Sequence, residues 1–344
     1  MIDIYLLFFI AIFAVNVHAI IEKISTAQND KPLEQTILEL IPKDLWPVIN
    51  YYAQPINTIS SGDFHACAIN ESNKMVECWG LETDKRTIVP ADLGPVRAIS
   101  AGNTHNCAIK LDGTVQCWGQ YKIDVLKKYE ATEIPADLGP VQNISSGSGH
   151  TCAITAQGLA KCWGINRYGQ LNVPADLGPI KAISAKFNYT CAIKTDDTVK
   201  CWGAKPFKSG KKIEVPLTAN RVTKISVGVG LACGIRAEDN LIECWGDGLD
   251  SVQVPKKLGP VKDISLGPSF GCAIKNDKTV ECWGPLVDGR YYMHKPLAAP
   301  QLGPVKEISA GAEYVCARKE TGEVKCWGFS GSPVVYRQKK VPKI

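Results

Sequence analysis

Fourteen cysteines are the residues of this 344-residue chain best suited to chemistry, as disulfides or as metal ligands. They form seven pairs whose members are 10 or 11 residues apart, and no cysteine is left over. Structural zinc sites use more closely spaced cysteines, C-x₂₋₄-C, and the chain has no such spacing. Reduced, buried thiols would not require strict pairing. The spacing therefore predicts no metal and no cofactor, but seven disulfides, Cys67/Cys78, Cys107/Cys117, Cys152/Cys162, Cys191/Cys201, Cys233/Cys244, Cys272/Cys282 and Cys316/Cys326.

The elements that position these cysteines belong to a repeat that recurs every 39 to 45 residues, each copy ending in Cys-Trp-Gly. In the copy from Pro95 to Gly119, apolar residues and turn residues predict strands over 96–100, 106–110 and 114–118. A fourth, edge strand is predicted before the next copy, ending in a proline. It is expected at 88–90, 133–135, 172–174, 214–216 and 253–255. Four short strands per repeat indicate a β-propeller, so the fold class is all-β with seven four-stranded blades.

The hairpin between the second and third strands explains the cysteine spacing. With Asp112 at the centre of the turn, Cys107 lies opposite Cys117 and Ile109 lies opposite Val115. Opposed residues of an antiparallel pair have Cα atoms about 4.5–5.5 Å apart, within reach of a disulfide. We therefore predict one disulfide in each blade. Such bridges indicate an oxidising compartment, and we predict a secreted or periplasmic protein.

Two segments compete to complete the ring. The C-terminal stretch 334–342 resembles another edge strand with no blade after it, and 41–48 resembles a degenerate copy of the same strand. Both cannot fill one position. We favour the C-terminal strand, because the N-terminal copy lies too far along the chain from Ile59.

The N-terminal residues predict export. Residues 5–15 form an apolar run of 11 residues, too short for the ~20 that span a bilayer but suited to a secretory signal. We predict a signal peptide over 1–19 and an N-terminal lead over 20–54 with a short helix at 33–41, followed by the propeller over 55–344. No stable membrane insertion is expected after cleavage.

Charge and motifs argue against nucleic-acid binding and catalysis. A net charge of +5 over 344 residues is too small for a concentrated basic face. No nucleophile elbow, zinc-protease, Walker-type or dinucleotide motif is present. His65, His105 and His150 share one repeat position, but four other blades carry Tyr189, Leu231, Phe270 and Tyr314 there. We predict that this is a packing position and that the protein is not an enzyme.

Three long connections after Trp-Gly offer a partner-binding surface. Connections that leave equivalent points of each blade gather on one face of the ring. These three, 120–133, 204–214 and 285–299, are basic and aromatic, which favours recognition of an acidic protein. The candidate partner-binding residues are Tyr121, Lys122, Lys127, Tyr129, Phe207, Lys208, Arg290, Tyr291, Tyr292 and His294.

The repeat resembles that of the regulator of chromosome condensation family. That family's blades carry His-x-x-Ala-Leu, Gly-x-Val/Leu and Trp-Gly, matched here by His105, Ala108, Ile109, 113–115 and 118–119. One blade also has the family's Asn-x-x-Gly-Gln-Leu tail, at 166–171. The resemblance implies a seven-bladed propeller, and the cysteine-bearing version is similar to exported bacterial members and crinkly-type plant receptor ectodomains.

Function does not follow from this fold. We predict a secreted, non-enzymatic propeller that binds a protein through its long-loop face. Guanine-nucleotide exchange on a small GTPase, as in nuclear family members, would require a cytosolic or nuclear location and a specialised blade insertion, and exported, bridged blades argue against both. Carbohydrate binding would require exposed aromatic faces, whereas most of the tryptophans are expected in the core.

Overall fold

The computed structural model describes residues 57–82, 85–119, 132–203, 213–216, 219, 221–246, 252–287, 292–296 and 299–328. The predicted signal peptide, the short helix and both candidate closing strands lie outside these residues. Within them, no helix is long and apolar enough to cross a membrane.

The described residues form seven three-stranded antiparallel sheets, each corresponding to one sequence repeat, and one two-stranded sheet. Blades 1 to 6 take three consecutive strands each from β1 to β18, and blade 7 comprises β21 to β23. A separate hairpin, β19–β20, lies between blades 6 and 7 in the sequence. The strands are β1 Ile59–Ser61, β2 His65–Ile69, β3 Val76–Gly80, β4 Val96–Ala101, β5 Asn106–Lys110, β6 Val115–Trp118, β7 Val141–Ser146, β8 His150–Thr155, β9 Ala160–Gly164, β10 Ile180–Lys186, β11 Tyr189–Lys194, β12 Val199–Gly203, β13 Val222–Val227, β14 Leu231–Arg236, β15 Ile242–Gly246, β16 Val261–Leu266, β17 Gly271–Lys275, β18 Val280–Trp283, β19 Pro285–Val287, β20 Tyr292–Pro296, β21 Val305–Ala310, β22 Tyr314–Lys319 and β23 Val324–Gly328.

The predicted hairpin register and all seven predicted disulfides are confirmed. In blade 2, Cys107 pairs with Cys117 and Ile109 pairs with Val115. Each bridge joins the middle strand of a blade to its third strand, and among the described residues, which include all fourteen cysteines, no cysteine is free. The bridges are Cys67–Cys78, Cys107–Cys117, Cys152–Cys162, Cys191–Cys201, Cys233–Cys244, Cys272–Cys282 and Cys316–Cys326.

Two details of the bridges differ from the expectation. The bridged Cα atoms are 4.0 or 4.1 Å apart, closer than the roughly 4.5–5.5 Å expected for opposed residues of an antiparallel pair. The two partners also differ in burial. The first cysteine of every pair is fully buried in the middle strand, whereas the second lies nearer the outer edge of the blade. The second cysteine is only partly buried at Cys78, Cys117, Cys162, Cys201, Cys244 and Cys282, and it is buried, at 6% exposure, at Cys326.

The predicted fourth strand is wrong. All five segments, 88–90, 133–135, 172–174, 214–216 and 253–255, are irregular chain with no place in a sheet. Each ends in a proline, which has no N–H to give to a sheet. Their apolar residues are used in packing: Val89 and Leu93 lie in the core between blades 1 and 2, where the Leu93 N–H donates to the Pro90 carbonyl at 3.1 Å. The apolar residues of these segments therefore pack in the core and do not form a strand.

The core is divided among seven clusters, and each lies between two adjacent blades. One tryptophan from the Cys-Trp-Gly position packs in each cluster. The cluster that contains Trp79 also holds Ile59, Tyr314 and Cys316, so blade 7 packs directly on blade 1. The tryptophans are thus inter-blade core residues, as expected from the sequence.

A ring of serine hydrogen bonds joins the first strands of all seven blades. Every first strand contains Ile-Ser, and each serine Oγ accepts a backbone N–H from the first strand of the next blade. The donor and acceptor pairs are Ala101–Ser60 (2.8 Å), Ser146–Ser100 (2.8 Å), Ala185–Ser145 (2.8 Å), Val227–Ser184 (3.2 Å), Leu266–Ser226 (2.9 Å), Ala310–Ser265 (2.9 Å) and Ser61–Ser309 (2.8 Å). The last pair joins blade 7 to blade 1, so the same interaction runs around the whole ring.

The interface between blades 7 and 1 also carries a buried arginine at a position where the other blades have isoleucine. Arg318 is 0% exposed and takes the place of residues such as Ile69 and Ile109. Its Nη2 donates to the carbonyls of Thr58 (3.0 Å) and Ile69 (2.7 Å) in blade 1. Blades 7 and 1 are not consecutive in sequence, so no short linker joins them. Arg318 adds polar contacts at this interface.

Replacing Arg318 with isoleucine is expected to lower the free energy of unfolding by roughly 3 kcal/mol. The substitution removes this donor from the buried Ile69 carbonyl and the partly buried Thr58 carbonyl, and it removes the cation that faces Glu71. Urea denaturation followed by tryptophan fluorescence measures the change. Lys319→Met, which removes the adjacent exposed Lys319–Glu323 pair, is the control and should cost less than about 0.5 kcal/mol. Equal effects of the two substitutions would contradict this role for Arg318.

Candidate functional site

One face of the ring is the face from which the connections after Trp-Gly leave the blades. We call it the turn face, defined by the turns between the first and second strands: 62–64, 102–105, 147–149, 187–188, 228–230, 267–270 and 311–313. The third strand of each antiparallel blade ends on the same face. The Leu81 N–H donates to the Phe64 carbonyl (2.8 Å), and the Ile165 N–H donates to the Gly149 carbonyl (2.8 Å). The connections after Trp-Gly therefore leave from the turn face.

Most of the predicted partner-binding residues lie outside the described residues. This applies to Tyr121, Lys122, Lys127, Tyr129, Phe207, Lys208, Arg290 and Tyr291. Tyr292 and His294 are placed in strand β20. There Tyr292 pairs with Val287 and Met293 pairs with Leu286, so the third long connection contains a β-hairpin.

The predicted disulfide cysteines lie within the blades and not in the connections. Each second cysteine is in a third strand, directly before the tryptophan and glycine with which that strand approaches the turn face. The bridge therefore fixes the strand from which a connection leaves. This holds for Cys78, Cys117, Cys162, Cys201, Cys244, Cys282 and Cys326, bonded to Cys67, Cys107, Cys152, Cys191, Cys233, Cys272 and Cys316.

Two other connections are fixed to the blades by tryptophan side chains. The Arg86 carbonyl accepts the Trp118 Nε1–H (3.2 Å) and the Asn106 amide (2.7 Å). The Gln170 carbonyl accepts the Trp202 Nε1–H at 3.0 Å. Gln170 belongs to the Asn-x-x-Gly-Gln-Leu tail and is fully buried. Each connection is therefore held over the blade that follows it.

The three repeated histidines are buried side chains that join neighbouring blades at the base of the turn face. His65 Nε2 lies 2.7 Å from Asn106 Oδ1, His105 Nε2 lies 2.7 Å from Thr151 Oγ1, and His150 Nε2 lies 2.9 Å from Thr190 Oγ1. Because the Asn106 amide nitrogen already donates to a carbonyl, its Oδ1 must accept from His65. Each histidine therefore contacts the residue just before the first cysteine of the next blade.

Burial holds these histidines in the neutral form. It lowers the pKa of His65 to about 3, that of His105 to about 4 and that of His150 to about 3. Among the described residues, none of the three Nδ1 atoms has a hydrogen-bond partner. The prediction that this position serves packing agrees with its burial, since Tyr189, Leu231, Phe270 and Tyr314 are buried at the same place in the other blades.

The first strands line a central channel with a cavity of about 230 Å³. Near the turn face it contains Asp63 and Lys186. Burial raises the pKa of Asp63, and the positive charges of Lys186 and Arg86 oppose that rise. Elsewhere the channel holds an ion pair between Lys224 and Asp263, whose Nζ and Oδ1 atoms are 3.0 Å apart. Its lining is therefore polar and charged, and sequence analysis did not single out any of these four residues.

Comparison with known proteins agrees with this architecture. The model of the "Regulator of chromosome condensation (RCC1) repeat" matches residues 96–120, 141–170, 180–204 and 305–332. A search of curated protein sequences gave no match.

Solved structures with the same fold include plant ectodomains and a yeast protein. The CRINKLY ectodomain of the Arabidopsis thaliana receptor kinase ACR4 is 21% identical, with a TM-score of 0.63 over 81% of this chain and 98% of that chain. The ectodomain of the Physcomitrella patens receptor kinase CR4 is 21% identical, with a TM-score of 0.62 over 79% and 74%. Prp20p from Saccharomyces cerevisiae is 14% identical, with a TM-score of 0.57 over 82% and 84%. At these identities the likeness concerns the fold alone.

The four repeat matches, the seven three-stranded sheets and the propeller neighbours lead to one conclusion: the chain contains segments that match the RCC1 repeat, and it folds as a seven-bladed β-propeller.

Proposed function

We propose that this chain is an exported, non-enzymatic propeller that binds a protein partner through its turn face. The observation that carries the proposal is the complete use of fourteen cysteines in seven intra-blade disulfides. Disulfides persist in extracellular and periplasmic space and are rare in the cytosol. The predicted signal sequence over 1–19 supports the same compartment.

The construction of the turn face supports binding to a protein. A rigid ring carries connections of different length and composition, an arrangement that commonly serves recognition. The three long connections are rich in lysine, arginine and tyrosine, which favours an acidic partner. The fold also serves as a receptor ectodomain in ACR4, and Prp20p has binding properties to Gsp1p and histones. Those two proteins support the proposal only at the level of fold.

Affinity capture with the exported form, residues 20–344, tests the proposal. The immobilised protein is incubated with extracellular fluid of the source organism, and captured proteins are identified by mass spectrometry. The double variant Tyr291→Ala/Tyr292→Ala should bind the captured protein at least about 30-fold more weakly, the loss expected when an interface hot spot is truncated.

Leu111→Ala provides a matched control. Leu111 is 52% exposed in the turn between β5 and β6, at the opposite end of its blade from the turn face. This control should retain wild-type binding. Capture that survives the double tyrosine substitution but is lost in Leu111→Ala would place the binding surface on the opposite face.

A further inference from the structure

Blade 4 breaks the repeat at one position on the channel side of the turn face. Six blades have glycine three residues before the buried histidine, aromatic or leucine position, and blade 4 has Lys186. The glycines are Gly62, Gly102, Gly147, Gly228, Gly267 and Gly311. The lysine is therefore a departure confined to one blade.

Close packing explains the glycines. A Cβ atom on Gly62 would lie 2.2 Å from the Gly102 carbonyl oxygen, and one on Gly147 would lie 2.3 Å from His150 Cε1. Neither position can accept a side chain without movement of the neighbouring blade or ring. In blade 4 the turn has another shape, because Phe187 has a φ of 52° and Lys186 remains paired with Tyr189 at the end of β10. This turn leaves room for a side chain that positions such as Gly62 and Gly147 exclude.

The Lys186 side chain reaches two blades that are not neighbours of blade 4. Its Nζ donates to the Leu266 carbonyl (3.1 Å) in β16 of blade 6 and to the Ala310 carbonyl in β21 of blade 7. Both acceptors come directly before the glycine of their own blade. The side chain therefore crosses the channel and ends on the equivalent position of the opposite blades.

Stability does not explain why a lysine is there. Burial lowers the pKa of Lys186 to about 8, although the charge of Asp63 acts in the opposite direction. A lowered lysine pKa means that folding disfavours the charged form, so the charge is buried at a cost to the folded state at neutral pH. Six blades avoid this cost with glycine.

We infer that Lys186 is a cross-channel link that fills the mouth of the channel at the centre of the turn face and couples blade 4 to blades 6 and 7. The serine ring joins only adjacent blades, whereas Lys186 joins blades two and three places apart. It restrains the turns of blades 6 and 7 from across the ring. This inference does not depend on the proposed partner.

Hydrogen exchange measured by mass spectrometry tests the link. Lys186→Met keeps a similar side-chain length but removes the ammonium group that donates both hydrogen bonds, and Lys186→Gly restores the residue of the other blades. In both variants, peptides covering 264–270 and 308–314 should exchange roughly tenfold faster, the factor that corresponds to loss of one hydrogen bond from a charged group.

Lys200→Met is the matched control. Lys200 lies in β12 of the same blade, where its Nζ is 3.1 Å from Asp176 Oδ2 on the exposed side. This control should leave exchange in blades 6 and 7 unchanged. Unaltered exchange at 264–270 and 308–314 in both Lys186 variants would overturn the inference. Equal acceleration in blades 1 to 3 would also overturn it, since that pattern indicates general destabilisation.

Discussion

Complete reduction of the seven disulfides is expected to leave the propeller unable to fold. Each bridge closes a loop of about ten residues, and a loop of this size contributes roughly 2–3 kcal/mol. Seven such contributions amount to about 15–20 kcal/mol, more than the ~5–15 kcal/mol by which a typical protein is stable. Protein denatured and reduced, then returned to native buffer with the thiols kept reduced, should show no cooperative unfolding by tryptophan fluorescence.

A single-bridge variant separates this effect from local damage. The double substitution Cys107→Ala/Cys117→Ala should lower the free energy of unfolding by about 3 kcal/mol and leave the protein folded. In the native wild type, we expect resistance to reductant without denaturant, because the first cysteine of each pair is fully buried. A reduced protein with fourteen titratable thiols and an intact unfolding transition would contradict the prediction. It would also remove the main support for export.

The disulfides could be predicted because they depend on local geometry. A hairpin centred on Asp112 places Cys107 opposite Cys117 whatever the rest of the ring does, and the register in blade 2 agrees. The tryptophan position was predictable for a similar reason, since a large apolar side chain repeated in every blade must be buried against a neighbouring blade. Repetition itself made both inferences possible.

The fourth strand was mispredicted because the same apolar residues suit two kinds of structure. Val89 before Pro90 fits an edge strand, but it equally fits an irregular segment that buries its side chain between blades. Sequence pattern reports burial and not hydrogen-bond partners. The proline, which cannot donate to a sheet, was the residue that favoured the irregular structure.

Residues that occur in one blade only were missed, although the sequence contains a signal for them. Lys186 replaces a glycine and Arg318 replaces an isoleucine found in all six other blades. Aligned repeats reveal both departures. Their contacts, from blade 4 to blades 6 and 7 and from blade 7 to blade 1, depend on the closed ring and could not be derived from any single repeat. The serine ring was missed for a different reason, because its repeated Ile-Ser suggested only an ordinary strand.

Acidification is expected to destabilise the propeller through its three buried histidines. Their pKa values in the folded protein, about 3 to 4, lie below the ordinary value of 6.5. Between pH 6.5 and about 4 the three histidines are protonated in the unfolded chain but remain neutral in the folded chain. The free energy of unfolding therefore falls as the pH falls. Each histidine should contribute a loss of about 2 kcal/mol at pH 5, since one pH unit corresponds to ~1.4 kcal/mol. Above pH 6.5 this contribution to the pH dependence disappears. Urea denaturation between pH 7.5 and 5 measures the loss.

His150→Phe isolates one of these contributions. Phe270 occupies the equivalent buried position in blade 6, so the ring fits the slot. The variant should be less stable at pH 7.5 by about 1 kcal/mol, because Thr190 loses its partner. Burial raises the pKa of Asp63, Asp263 and Glu307, so protonation of these carboxyls makes the folded protein more stable as the pH falls. The three carboxyls are present in both proteins, so their effect cancels in the comparison. The stability difference between wild type and variant should therefore shift by about 2 kcal/mol in favour of the variant between pH 7.5 and pH 5. Parallel pH profiles for the two proteins would show that His150 is not held neutral by burial.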